Sequence, residues 1–167
     1  MNQSREGARR TEIAVDALAD CSFSIAEEYA TEYLRAAEAG GPEAAVRVPW
    51  GLPIPPLRWR VRFTFGLHED VFEGGRQHDE VRFRWQSGSR LLPDFHGSLR
   101  FRIETSRTRV LLEGSYEAPL GMLGRIVDRI VGRRVARASL QEVADRIARH
   151  LGERERVWRR AHPVPAN

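Results

Sequence analysis

A chain of 167 residues is long enough for one domain that buries about two thirds of the surface its unfolded form would expose, so no metal or disulfide is needed to hold a core. The single cysteine, Cys21, excludes an internal bridge and lies in no metal-ligand spacing, and no segment approaches the ~20 apolar residues of a membrane-spanning helix. All 27 basic residues are arginine, which stays protonated to very high pH, so a net charge of only +4 suffices for a pI of 10.1, and the pI alone does not argue for a nucleic-acid partner.

The opening MNQSREGARRTE is polar and lacks the apolar run of a secretory signal, so residues 1–11 read as a flexible leader and the protein as cytoplasmic. From Glu12 to Leu18, Ile13, Val15 and Ala17 alternate with polar or small neighbours and predict a first strand. Ser24 and Glu27 have capping-box spacing, which predicts a helix start. Ile25, Tyr29, Tyr33, Leu34 and Ala37 follow at helical spacing until Gly40, Gly41 and Pro42 stop the run. The proline-dense VRVPWGLPIPPL allows only a short edge strand and a rim.

Four alternating stretches come next. Leu57, Trp59, Val61, Phe63, Phe65 and Leu67 share one face; Val81, Phe83 and Trp85 a second; Leu99, Phe101 and Ile103 a third; Val110, Leu112, Gly114 and Tyr116 a fourth. Gly74-Gly75, Ser87-Gly88 and Thr105 to Thr108 supply turns, giving an antiparallel meander with one buried face. Six strands are legible in all, with a bulge or break expected near Gly66. From Leu120 to about Leu151 the period becomes 3.6, so the longest element is an amphipathic helix that a curved sheet can wrap. The expected organisation is one α+β domain over residues 12–152, followed by a flexible tail over 153–167.

The order strand, helix, meander, long helix resembles the helix-grip fold of the START-like (SRPBCC) superfamily. The residues that carry the resemblance lie in FRWQSGSRLLPDFHGSLRFRIE and LLEGSYEAPLGMLGRIVDRIVGRRVARASL: Trp85, Pro93, Phe95, Gly97, Leu99, Gly114, Tyr116, Pro119, Leu120, Gly121, Gly124, Asp128, Val135 and Ala136. That superfamily holds lipid-transfer domains, pollen-allergen-like proteins and polyketide cyclases. The resemblance implies a hollow between helix and sheet that takes a hydrophobic ligand; it implies no particular reaction.

The inward aromatics Trp59, Phe63, Phe65, Phe83, Trp85, Phe101 and Tyr116, with Glu69 on the same parity and Leu123, Val127 and Val131 on the long helix, are therefore the expected ligand-binding set. As ordinary core, each ring would contribute ~1.5–3 kcal/mol by burial. Glu69 and Tyr116 are the expected polar contacts. Gly121, Gly124, Asp128, Gly132, Ala136 and Ser139 form a small-residue stripe that either leaves room for a ligand or lets the sheet approach closely. No nucleophile–base pair and no metal spacing stands out among the five histidines, so no catalytic residue, metal or cofactor is expected; a polyketide cyclase or aromatase is the enzymatic alternative.

The opposite parity carries Arg58, Arg60, Arg62, Arg82, Arg84, Arg100 and Arg102, with Glu80, Glu104, Glu113 and Glu117 nearby. Single-strand nucleic-acid binding needs aromatics interleaved on the charged face, and here they lie on the other one. The arginine face suits a solvated surface, an acidic partner or a homodimer contact, and duplex phosphates or an anionic membrane stay an alternative for it, because backbone contacts need no aromatics. The reading that follows is a binder of an apolar small molecule.

Overall fold

The computed structural model describes residues 10–41, 45–48, 57–60, 62–73, 76–86, 94–117 and 127–163. In chain order the elements are β1 (Arg10–Ala19), α1 (Phe23–Glu38), β2 (Ala45–Val48), β3 (Leu57–Arg60), β4 (Arg62–Glu73), β5 (Arg76–Gln86), β6 (Asp94–Glu104), β7 (Arg107–Glu117) and α2 (Val127–Ala161). Five strands form an antiparallel sheet in the order β1-β7-β6-β5-β4, while β2 and β3 pair in a ladder of their own. Each chain neighbour from β4 to β7 pairs with the next, and β1 closes onto β7. This is the expected meander with its first strand returned to the far edge.

The alternation dictates which face is dry. Ile13, Val15, Val81, Phe83, Leu99 and Leu112 are all buried on one side of the sheet. On α2, Leu140, Val143, Ile147 and Leu151 recur at three- and four-residue intervals and are buried against them. The helix runs in the same direction as β1: Gln141 Nε2 donates to the Asp16 carbonyl at 2.8 Å, and Gly152 lies beside Asp20. Its first turns therefore fall toward the Arg10 end of β1.

Several boundaries differ from the sequence expectation, each for a local reason. The first helix begins at Phe23 with Ser22 as N-cap, and the Ser22 hydroxyl meets Ser24 Oγ at 3.0 Å, so Ser24 already lies in the first turn. Its end is as expected. Gly40 takes φ 79°, a left-handed value open to glycine, and Gly41 N–H donates to the Ala36 carbonyl at 2.9 Å. The stretch read as one strand from Leu57 is divided between β3 and β4, and the irregularity expected near Gly66 occurs between His68 and Val71, where β4 carries one extra residue against β5. Val61, between β3 and β4 in the sequence, lies outside the described residues, as do residues 1–9 of the leader expected over 1–11, whose last two residues, Arg10 and Thr11, begin β1.

Two further corrections concern the ends of elements. Ile103, expected on the buried face, is 68% exposed, because β6 runs past the core there into the turn at Thr105. The tail expected from Glu153 is helical to Ala161. Polar contacts with α1 and within the helix hold that extension: Arg154 Nε lies 2.9 Å from Glu32 Oε2 with its guanidinium over the Tyr29 ring, and Arg159 Nε donates to Glu155 Oε1 at 2.8 Å. Glu155 is only 4% exposed, so a tail reading based on charge alone misses a buried carboxylate paired within its own helix.

Cys21 sits in this seam. Its carbonyl accepts from Thr108 Oγ1 at 2.8 Å, and burial with the Glu155 charge nearby pushes its thiol up from 9.0 to about 11. The folded state thus keeps the thiol proton where a solvated thiol loses it. That contribution to stability is whole below pH 9 and is lost as pH rises toward 11. A disulfide reagent at pH 8 is expected to label Cys21 only at the rate of local opening, and denaturant should raise labelling at least about 100-fold. Rapid labelling of the native protein would contradict this burial.

Candidate functional site

Cross-strand register arranges the inner face of the sheet in rows. The first holds Phe63, Trp85, Phe95, Tyr116 and Thr11; the second Phe65, Phe83, Gly97, Gly114 and Ile13; the third Leu67, Val81, Leu99, Leu112 and Val15. Aromatic residues are thus concentrated at one end, and it is the end that the first turns of α2 approach. At the other end, α1 packs beneath the sheet with Tyr29, Tyr33, Leu34 and Ala37 buried.

The second row has a gap where Gly97 faces Gly114, and Phe95 fills it. A Cβ on Gly97 would come 2.6 Å from both Cε1 and Cζ of Phe95, and one on Gly114 would come 2.7 Å from Cζ. The ring therefore lies flat across the glycine pair, fully buried, with its centroid 5.3 Å from Phe83 and 5.0 Å from Trp85. Offset ring pairs at such separations contribute ~0.5–1.5 kcal/mol each beyond their buried area.

Two hydroxyls accompany the rings. Tyr116 ends the aromatic row and is buried. Ser139 is 3% exposed on the core-facing side of α2, and its Oγ has no hydrogen-bond partner among the described residues. An unsatisfied buried hydroxyl costs ~1–3 kcal/mol, which makes Ser139 a ready contact for a polar group brought in by a ligand.

No family model matches the sequence, and no curated protein matches it. Among solved structures, the Zhui aromatase/cyclase from Streptomyces sp. R1128 superposes with a TM-score of 0.52 at 16% identity, over 93% of this chain and 100% of that one. The chain has the helix-grip fold. Two further structures align over 89% of this chain and 99% of theirs: TTHA0849 from Thermus thermophilus, with a TM-score of 0.45 at 14% identity, and Ara h 8.0201, with 0.46 at 8%. Identities this low establish the fold and leave activity open.

Within this helix-grip frame, the expected site residues fall into three groups. Phe83, Trp85, Phe101 and Tyr116 are buried on the inner face, and Phe65 is partly buried against the same core. Trp59, Phe63, Glu69, Val127 and Val131 are placed by their backbone on β3, β4 and α2, while their side chains lie outside the described set. Leu123 lies outside the described residues altogether. Glu69 falls in the β4 bulge, where the two-residue alternation that assigned it to the inner face no longer operates. Phe101 stands apart from the aromatic end, in a further row with Val110 and Ala17 beyond that of Leu99 and Leu112.

Phe95, which the sequence offered only among the residues that carry the family resemblance, was missing from the expected binding set. The parity of Leu99 and Phe101, extended backwards through Gly97, reaches it, so the signal was present. Asp94 and His96 flank it on the outer face, separated from the aromatic row by the sheet. Among the described residues no group of three potential metal ligands is gathered, and no helix is long and apolar enough to cross a membrane.

On the outer face, Arg62, Arg82, Arg84 and Arg102 are exposed and Arg100 is half-buried. The ion pairs gather on one side: Arg109 bridges Asp16 at 2.6 Å and Glu104 at 2.5 Å, and Arg100 lies 3.8 Å from Glu113. Hydrogen bonding from Arg109 holds the Glu104 carboxyl below its ordinary range.

Proposed function

We propose that the protein binds an apolar small molecule between the aromatic row of the sheet and the amino-terminal half of α2. The observation that carries this reading is the concentration of Trp85, Phe95 and Tyr116, with Phe83 behind them, at the end of the inner face that α2 enters. Flat, rigid rings present large apolar area at little entropic cost, and burial of each ligand methylene contributes ~0.8 kcal/mol. The proposed binding set is Phe65, Phe83, Trp85 and Tyr116, joined by Trp59, Phe63, Leu123, Val127 and Val131; Phe101, in a row remote from the aromatic end, and Glu69, in the bulge, are left out of it. The hydroxyls of Tyr116 and Ser139 fix orientation. The 16% identity to an aromatase/cyclase transfers no chemistry, and ring closure on a poly-keto chain stays a second use of the same site, favoured by the Tyr116 hydroxyl.

Organic extraction of the purified protein, followed by a thermal-shift panel of fatty acids, sterols and polycyclic aromatics, tests the reading. A ligand at 100 times its Kd stabilises by ~2.7 kcal/mol, which is about 5–10 °C in Tm for a chain of this length. Ser139→Ala is expected to leave the free protein as stable or up to ~1 kcal/mol more stable, since it removes an unsatisfied hydroxyl, while weakening ligand binding several-fold. An empty extract together with no shift across the panel would sink the proposal.

A further inference from the structure

Among the described residues, the large apolar side chains left exposed are Leu18, Phe23, Ile103, Val157 and Trp158, and they gather at one end of the molecule. Thr108 pairs with both Ala19 and Ile103 and donates to the Cys21 carbonyl at 2.8 Å, so the end of β1, the start of α1 and the turn between β6 and β7 meet there. The carboxyl end of α2 joins them. α1 and α2 are antiparallel, with the rings of Tyr33 and His150 5.5 Å apart and Arg154 over Tyr29, so Phe23 comes level with the stretch that holds Val157 and Trp158. The core-facing stripe of Ile147, Leu151 and Glu155 passes next through Trp158, whose ring stacks on His162 at 4.8 Å. There it is uncovered: Trp158 is 49% exposed.

The outermost charges at this end are of one sign. The last turns of α2 carry Arg156, Arg159 and Arg160 with no carboxylate after Glu155, the first turn of α1 has no acidic residue, and Arg107 follows the turn after Ile103. Two nearby carboxylates are engaged, since buried Glu155 accepts from Arg159 and Glu104 from Arg109. Glu27 and Glu28 in the second turn of α1, Glu153 on α2 and Asp20 beside Gly152 are set back from the tip. Arg107, Arg156 and Arg160 enter no ion pair among the described residues.

We propose that this tip docks on the surface of a bilayer that contains anionic lipid. An indole with apolar neighbours settles at the boundary between headgroups and acyl chains, and guanidinium groups around it reach back to lipid phosphates. No helix is long and apolar enough to cross a membrane, so contact is by side chains at the surface. A second copy of the chain would bring the same arginines face to face. A bound helix or strand needs its anchors in line along one element, whereas these stand at the ends of several and suit a broad, soft surface. The tip is the opposite end of α2 from the proposed apolar site, and the inference does not rest on that site.

Co-sedimentation of the full chain with phosphatidylcholine vesicles, with and without phosphatidylglycerol at equal ionic strength, tests the surface. Binding is expected only with phosphatidylglycerol and should weaken as salt is added. Tryptophan emission should shift to the blue on binding, and Trp158→Phe should remove most of that shift. Each arginine near an anionic leaflet contributes about fivefold in affinity, so Arg156→Gln with Arg160→Gln should weaken binding at least about tenfold. Val157→Ser with Trp158→Ser should do the same by removing inserted apolar area. Arg62→Gln with Arg84→Gln, on the outer sheet face, should change nothing. All six side chains are exposed, so the variants fold, and circular dichroism verifies it. Absence of binding to phosphatidylglycerol vesicles, or an equal loss in the sheet-face variant, would overturn the tip as the docking surface. A concentration-dependent dimer in place of vesicle binding, abolished by the Val157 and Trp158 changes, would overturn it in favour of a second copy.

Discussion

Replacing Gly114 with alanine is expected to destabilise the protein by about 3 kcal/mol, the upper end of what overpacking a strand costs, and to lower Tm by about 6–12 °C. The new methyl would collide with the His96 carbonyl oxygen and come 2.5 Å from the Gly97 Cα, as well as 2.7 Å from the Phe95 ring. A flexible side chain could step aside, but two of these three neighbours are backbone. Gly97→Ala meets the same obstacle through the Glu113 carbonyl oxygen and the same ring. Gly66→Ala is the internal control: its Cβ enters open space, so it should be neutral, or stabilising by up to ~1 kcal/mol through the lower chain entropy of alanine. Urea denaturation of the three variants measures the difference. A Gly114→Ala variant within about 0.5 kcal/mol of the parent would mean that the ring does not lie on the glycine pair.

The same contact shows what the sequence could convey. Period-two alternation over Val81 to Trp85 and Val110 to Tyr116 identified strands, buried face and order, because one dry face leaves alternation no freedom. Period 3.6 over Leu140 to Leu151 identified the long helix for the same reason. Alternation carries no information beyond the core, where Ile103 continues the pattern into solvent and Glu155 interrupts it while buried. It also fails at a bulge, which shifts parity by one, and this is where Glu69 lies. Two glycines facing each other in neighbouring strands have no periodic signature at all. Their meaning depends on a register that exists only once the sheet has formed, so Phe95, the ring they accommodate, was legible as a strand residue but not as the centre of the aromatic row.

Phe95→Ala is the second change with a large expected effect, and it separates the role of the ring in stability from the role of the space it occupies. Removing a fully buried phenyl costs ~3–5 kcal/mol when the surroundings cannot collapse. Here collapse is obstructed from below, since Gly97 and Gly114 have no side chains to move in, and Phe83 and Trp85 are held by their own strands. The vacated volume is therefore expected to remain as a dry apolar void in the floor of the proposed site, the kind of space that takes up benzene or indole. Saturating benzene should then raise the Tm of Phe95→Ala by several degrees and leave the parent unchanged. In the panel of apolar ligands, the variant should shift preference toward members larger by about one ring, because the added room adjoins the row of Trp85 and Tyr116. A loss near 1 kcal/mol, with no response to benzene, would mean instead that the surrounding strands close over the gap.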